Sequence, residues 1–412
     1  MISPFYSNNR FFTSSSRMTV PEPHTKEHQF WNTQPVTQIG AEKPAKIGPL
    51  DPNTDVAKVR QEPYPIVKGF NWCLVDTKDE VQRQELYEFL RNHYVNHPQN
   101  TFRFAYSAEF LDWALHPPGW RPEWLVGVRA EATGKLAAFI SAIPITVRAN
   151  GADEPLKIVA VDFLSVHQQL RGKNLAPLLI KEITRRVNLT GCFTAIFTAG
   201  KLINQPISRA QYRHRLVNYK KLCAIKFTAP RPNENIDQQA KRFALAQQPR
   251  EPGFRPMEER DVPQVTEKLN EFLQKYAFSQ VFSEEEVKHW FLPRENIIGS
   301  YVVEKKKQII DFISFYIVPS TVSGCDEYDS YTAAYLYYYF SKPSRLTDIC
   351  RAAMCVAHHQ YGADVINCLD ILDNKNILES LRFVDGDGHL NYYFYNYAYP
   401  EVPPEQCGVV LL

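Results

Sequence analysis

The 412-residue chain carries a formal net charge of +2, with 44% hydrophobic and 22% charged residues. That mix is globular and large enough for one big or two moderate domains, and it gives no bulk electrostatic case for nucleic acid. No apolar run is long enough to cross a bilayer, and the eight scattered cysteines contain no CxxC pair, which argues against a metal site and for the reduced thiols of an intracellular protein.

In chain order, residues 1–20 hold Arg10, Arg17, many serines and no acid. This is weakly like an organelle transit segment but lacks a secretory apolar region, and Met18 is an alternative start. From Pro21 to Pro65 the chain is polar and Pro-rich, so an extended, flexible arm over 1–65 is expected rather than a core element.

A faint internal repeat organises the rest. Gly69-Phe70, Asp76 and a helix with Glu88-Phe89-Leu90 are echoed by Gly253-Phe254, Asp261 and a helix with Glu271-Phe272-Leu273. Ser107, Glu109, Trp113, Leu115 and Pro117 are echoed by Ser283, Glu285, Trp290, Leu292 and Pro293. Hairpin-like segments then end in Phe139-Ile140-Ser141 and Phe312-Ile313-Ser314. Three motifs in register favour duplication. The fold class is α/β, a mixed α+β sheet in two similar halves, over 66–245 and 246–412.

The most informative stretch runs from Ile158 to Val187. A β-rich run to Val166 leads into the loop Arg171-Gly172-Lys173-Asn174. A helix follows, with Leu175, Leu178, Leu179, Ile183 and Val187 at helical spacing. Asn174 is expected to act as N-cap, and Pro177 suits a first turn. Such a loop offers unpaired N–H groups and the positive end of a helix dipole to an anion. The second half has Ala333 to Phe340 followed by Ser341-Lys342-Pro343-Ser344, with no glycine to let a phosphate approach. One phosphate-bearing ligand per chain is the simpler inference.

These residues carry a resemblance. The helix–hairpin–strand unit with a basic Gly loop resembles the GCN5-related N-acyltransferases, and two such units in one chain look like the N-myristoyltransferase family. The likeness runs from His28-Gln29-Phe30-Trp31 to Leu412. It passes through Thr33-Gln34-Pro35, Glu62-Pro63-Tyr64-Pro65, Phe102-Arg103-Phe104, Leu175-Ala176-Pro177, Thr198-Ala199-Gly200, Pro319-Ser320-Thr321 and Gly386-Asp387-Gly388.

The resemblance implies two tandem halves related by a pseudo-two-fold axis. It also implies transfer of myristate from myristoyl-CoA, as co-substrate, to the N-terminal glycine of proteins beginning Gly-x-x-x-Ser/Thr. No prosthetic group and no covalent enzyme intermediate are expected. The Phe163 and Leu164 backbone N–H groups map to the oxyanion hole. The carboxylate of Leu412 maps to the base, and an α-carboxylate at the end of the apolar run Gly408 to Leu412 has its pKa raised by desolvation. Segment 28–35 would fold over the CoA with Gln29, Phe30 and Trp31. Phe163, Leu164, Ser165 and Val166 would follow it, and Arg171, Gly172, Lys173, Asn174, Leu175 and Ala176 would cradle its phosphates. Peptide contacts map to Tyr94, Phe102, Phe104, Asp162, Tyr212, His214, Ser320, Tyr335, Asn367, Asp385 and Asp387. Thr198 would hydrogen-bond the glycine amine. Taken alone, His214 between Arg213 and Arg215 reads as a solvated charge cluster.

Some positions depart from the family pattern. Asp162 stands where Asn is usual, Ser165 for Cys and Asn174 for Arg. Asn96-His97-Pro98-Gln99-Asn100 replaces an acidic patch, and Val384 replaces a glycine. Asp385 beside Asp387 is expected to restore part of the attraction for basic peptides. A monomer is expected, in the cytoplasm, with at most peripheral contact to ribosome or membrane. Two other readings are a non-catalytic acyl-CoA or lipidated-peptide binding protein and a short-chain N-acetyltransferase. Extending the chain past Leu412 separates the first of these, and acyl-length preference the second.

Overall fold

The computed structural model describes residues 29–41, 46–94, 101–230 and 233–412. Residues 1–28, with the transit-like stretch and His28, lie outside them, as do 96–100.

Ten elements occur twice in the same order. The first set is β1 (Phe70–Leu74), α1 (Glu80–His93), β2 (Phe102–Phe104), α2 (Ala108–Leu115), β3 (Leu125–Ala130), β4 (Leu136–Ala149), β5 (Leu156–Val166), α3 (Leu175–Asn188), β6 (Ala195–Ala199) and β7 (Ser208–Leu216). Two short helices, α4 (Tyr219–Ala224) and α5 (Ile236–Phe243), connect the sets. The second set is β8 (Phe254–Pro256), α6 (Val262–Leu273), β9 (Phe278–Val281), α7 (Glu284–Phe291), β10 (Ile298–Lys305), β11 (Gln308–Val322), β12 (Ser330–Phe340), α8 (Pro343–His359), β13 (Val365–Leu369) and β14 (Val384–Tyr395). A two-residue strand, β15 (Cys407–Gly408), ends the order.

The main sheet runs β1-β3-β4-β5-β6-β14-β7-β13-β12-β11-β10-β8, the same order read from either edge. In each half the third and fourth strands after the helical segment, β5 and β6 or β12 and β13, are parallel across a helical crossover. The last strand of each set crosses over: β14 pairs with β6, and β7 pairs with β13. The short strands cross as well, β2 onto β11 and β9 onto β4. Near the pseudo-axis the equivalent Trp113 and Trp290 meet edge to face at 5.1 Å, and Trp113 Nε1 donates to the His289 carbonyl. The two halves therefore share hydrogen-bond ladders as well as packing.

Helix α3 shows how sequence sets position here. Leu175, Leu179, Ile183 and Val187 recur every four residues and are all buried against the sheet. At roughly 1.5–3 kcal/mol for each fully buried side chain, this stripe fixes the helix on the sheet. Buried Glu182 accepts from Arg185 at 2.7 and 3.0 Å, from Arg186 at 2.8 Å and from the Tyr64 N–H at 3.1 Å. The carboxylate is satisfied on both oxygens and ties the arm to the helix. Further anchors are an Asn396 N–H bond to the Pro35 carbonyl and a bridge between Gly48 and Ala398.

Candidate active site

A cavity of about 350 Å³ lies between α3 and strands β4, β5 and β6. Val159, Val161, Ile180, Ile183, Phe193 and Phe197 give it apolar walls, and Phe30 and Trp31 cover one side. Trp31 stacks on Phe197 at 5.2 Å with rings 9° apart. Of the expected CoA residues, Leu164 and Ala176 line this cavity, Ser165, Val166 and Leu175 are buried beside it, and Gln29 is exposed. Sequence reading missed the inner face of α3, Phe193, Ile203 and Tyr395, because a tunnel wall and a packed core use the same residue types.

The cavity opens beside a defect in β5. The register between β4 and β5 shifts between Phe139 and Ser141, so Phe163 and Leu164 fall outside the ladder. Phe163 has φ +55°, rare for a bulky residue and a local strain. Its N–H donates to Asp162 Oδ1 at 2.7 Å, and the Tyr94 hydroxyl donates to the same oxygen at 2.8 Å. Burial pushes the Asp162 carboxyl up to about 6, and these two hydrogen bonds oppose the rise.

The C-terminal tail reaches the other side of this defect. Cys407 and Gly408 pair with β9, Val409 and Val410 are buried, and Leu412 is half-buried. The Val410 N–H donates to the Tyr338 hydroxyl at 2.8 Å. Leu412, Asp162, Phe163, Ser141 and Gln280 line one small cavity of about 30 Å³. Asp162 also lines the long cavity, so the two cavities meet at this residue.

The basic loop sits at the N-terminus of α3 with Arg171, Gly172, Lys173 and Asn174 all exposed. Gly172 has φ +76°, and Arg171 Nη2 donates to the His93 carbonyl. The expected side-chain cap is absent: Asn174 is left-handed, φ +59° and ψ +18°, and its amide makes no capping bond. Asn is among the few residues that tolerate that region, so the same residue type serves a tight loop instead of a cap.

Strand register assembles the peptide side. Tyr335, Asn367, His214 and Val384 align across β12, β13, β7 and β14. His214 is not solvated: it is 5% exposed, its Nδ1 lies 2.7 Å from Asn367 Oδ1, and burial lowers its pKa. Arg215 beside it is 4% exposed and donates to the Phe243 carbonyl. This corrects the reading of a charge cluster at the surface. Ser320 faces Phe104 across β11 and β2, and Phe102 packs on Tyr331 at 5.4 Å. Tyr94 and Phe163 rings lie 5.6 Å apart, Tyr212 is half-buried on β7, and Thr198 lines the long cavity from β6. A Cβ at Gly386 would lie 2.4 Å from His214 Nε2 and 2.7 Å from the Tyr212 carbonyl, so glycine is required there. Asp385 and Asp387 are exposed, and Asp385 is paired to Arg213, so its charge is already answered within the chain. Among the described residues, no cluster of His, Cys, Asp and Glu could hold a metal, and no helix is long and apolar enough to cross a membrane.

An apolar cavity, a basic glycine loop at a helix start and a bulged strand beside the cavity are the parts of an acyltransferase that works on CoA thioesters. The chain belongs to the myristoyl-CoA:protein N-myristoyltransferase family, whose N-terminal domain model matches residues 49–210 and C-terminal domain model residues 224–409. It is 44% identical over 393 residues to glycylpeptide N-tetradecanoyltransferase 2 of Danio rerio, covering 95% of this chain and 79% of that one. It is 41% identical over 416 residues to the Schizosaccharomyces pombe glycylpeptide N-tetradecanoyltransferase, covering 96% and 88%. The crystal structure of Saccharomyces cerevisiae N-myristoyltransferase with bound myristoyl-CoA superposes with a TM-score of 0.90 at 35% identity, covering 94% of this chain and all of that one.

Proposed function

We propose that this chain transfers myristate from myristoyl-CoA to the N-terminal glycine amine of proteins beginning Gly-x-x-x-Ser/Thr, by direct attack on the thioester. One observation carries the reading: the long apolar cavity and the C-terminal residue meet at a single defect in β5. The cavity suits a fourteen-carbon chain, for which burial contributes about 0.8 kcal/mol per CH₂. Phe163 and Leu164 supply backbone N–H groups to the thioester oxygen. The Leu412 carboxylate is the base, and Thr198 holds the amine. Gln29, Phe30 and Trp31 cover the CoA, Phe163 to Val166 run beside it, and Arg171 to Ala176 hold its phosphates. Tyr94, Phe102, Phe104, Tyr212, His214, Ser320, Tyr335 and Asn367 line the peptide's path, with Asp387 placed for a basic residue further along.

In this reading residues 1–65 form the arm, with 28–35 over the CoA. Residues 66–245 bind the acyl-CoA, and 246–412 bring the peptide wall and the base. The chain acts as a monomer in the cytoplasm. The test is mass spectrometry of a Gly-x-x-x-Ser peptide incubated with protein and myristoyl-CoA. A gain of one myristoyl group is expected. No gain, or acetyl-CoA rates rivaling those with myristoyl-CoA, overturns the assignment.

A further inference from the structure

We propose that Asp162 is a second catalytic carboxylate: it takes the first proton from the substrate's glycine ammonium and in doing so releases the Phe163 N–H to the forming oxyanion. This rests on the roles assigned above to Phe163 and Leu412. The geometry is specific. Asp162 Oδ1 accepts the Phe163 N–H at 2.7 Å, so in this arrangement the donor needed by the oxyanion is held by a carboxylate. A carboxylate on that donor also opposes a second negative charge forming beside it. A protonated carboxyl is a weaker acceptor and carries no charge. Deprotonating the amine and opening the oxyanion hole are then one event.

Proton counting leads to the same place. An N-terminal amine has a pKa of about 7.7–8.0 and arrives near neutrality mostly as an ammonium. Its nitrogen must lose one proton before attack and another after the C–N bond forms. One carboxylate holds one proton at a time, and two face this point: Asp162 and the Leu412 terminus line the same small cavity. In sequence, an ammonium N–H breaks and its proton bonds to Asp162. The nitrogen lone pair then forms the C–N bond while the carbonyl pair moves to oxygen. The oxyanion collapses, the C–S bond breaks and its pair leaves on sulfur. The second nitrogen proton passes to Leu412. One proton ends on the CoA sulfur and the other in solvent, which restores both carboxylates.

The surroundings suit this task. Asp162 is faced by Tyr94 after α1, by Tyr106 after β2 and by Tyr212 on β7, with the Leu412 carboxylate across the cavity. Burial pushes all three phenols up, so they stay neutral hydroxyls. The Asp162 carboxyl, at about 6, lies between an ordinary carboxylate and the amine it must deprotonate.

The experiment is the pH dependence of kcat/KM for wild type and Asp162→Asn, with a Gly-x-x-x-Ser peptide and myristoyl-CoA. Wild-type activity is expected to fall on the acid side near pH 6. The variant must wait for the amine to ionise on its own, so its acid limb moves to about 7.7–8.0. The variant is then about 20-fold slower at pH 6.5, and the gap closes as pH rises through the amine's pKa, because the wild type loses the ammonium that protonates Asp162 while the variant gains the free amine. A loss of the same factor at every pH marks a structural role and overturns the proposal. If the variant fails to bind myristoyl-CoA by calorimetry, the wild-type profile still tests the proposal: an acid limb near 8 overturns it. Absence of myristoyl transfer by the wild type at any pH strikes the underlying reaction instead.

Discussion

The two copies of the ten-element unit treat the same backbone groups in opposite ways. Both halves of the sheet carry the defect at their Phe-Ile-Ser segments, between Phe139 and Ser141 and between Ile313 and Phe315. In the second copy the defect is closed: the Tyr338 N–H donates to Ser314 Oγ at 3.1 Å, and that hydroxyl donates to the Tyr338 carbonyl at 2.7 Å. In the first copy Ser141 Oγ reaches the Asp162 carbonyl at 3.1 Å, while the Phe163 N–H turns to the Asp162 side chain beside the cavities. The helix starts diverge likewise. The Arg171 to Asn174 loop is exposed and basic. At α8 the Ser341 hydroxyl donates to buried Asp311 at 2.6 Å, Arg345 pairs with Asp311 and Glu251, and Pro343 has no N–H to offer. The defect lies open beside the cavities in one copy and is closed by a serine in the other. Tyr338 links the two, since its hydroxyl accepts the Val410 N–H and holds the tail toward the first copy's defect.

The sharpest way to break this comparison is at the tail. Adding three residues after Leu412 removes the carboxylate from its place without touching either defect. Turnover is expected to fall about 10²- to 10⁴-fold, the usual contribution of a positioned base, with acyl-CoA affinity retained. Rates from the extended protein that match the wild type remove Leu412 from the mechanism.

A gentler probe uses the two serines as a matched pair. Ser141→Ala loosens the first defect and is expected to cost about tenfold in kcat, because misplacing the donor proposed for the oxyanion is felt directly. Ser314→Ala leaves a buried N–H and carbonyl unpaired, so unfolding free energy drops by about 1–3 kcal/mol while kcat/KM stays within about twofold. Denaturant melts and steady-state rates on both variants check this. Equal kinetic losses would mean that the second defect also takes part in the chemistry.

Much of this asymmetry was legible in the sequence. The missing glycine in Ser341-Lys342-Pro343-Ser344 separated the two loops, and the Phe-Ile-Ser echoes marked equivalent strands. The exchange of β7, β14, β2 and β9 between halves was not readable, because non-local pairing leaves no local pattern. His214 and Arg215 read as solvated in the sequence because their hydrogen-bond partners, Asn367 and the Phe243 carbonyl, are 153 and 28 residues away. The apolar cavity beside α3 stayed hidden for a related reason, since Ile180 and Phe193 read as core until the packing on one side is seen to stop.

The smallest expected effect lies at Asn174, where two terms nearly cancel. The resemblance places Arg there, so Asn174→Arg adds a cation to the loop at the start of α3. An exposed charge contact contributes about 0.2–1 kcal/mol. The residue must also sit at φ +59°, where Asn is tolerated and a longer side chain costs about 1 kcal/mol. CoA affinity by calorimetry is therefore expected to change by less than about threefold at low salt. The added contact shows instead in salt dependence, since exposed charges are screened within about 10 Å at 0.1 M. The variant should lose affinity more steeply than wild type as salt rises. Identical slopes would mean that residue 174 does not face the phosphates, and that the difference between the two helix starts rests on Arg171, Gly172 and Lys173 alone.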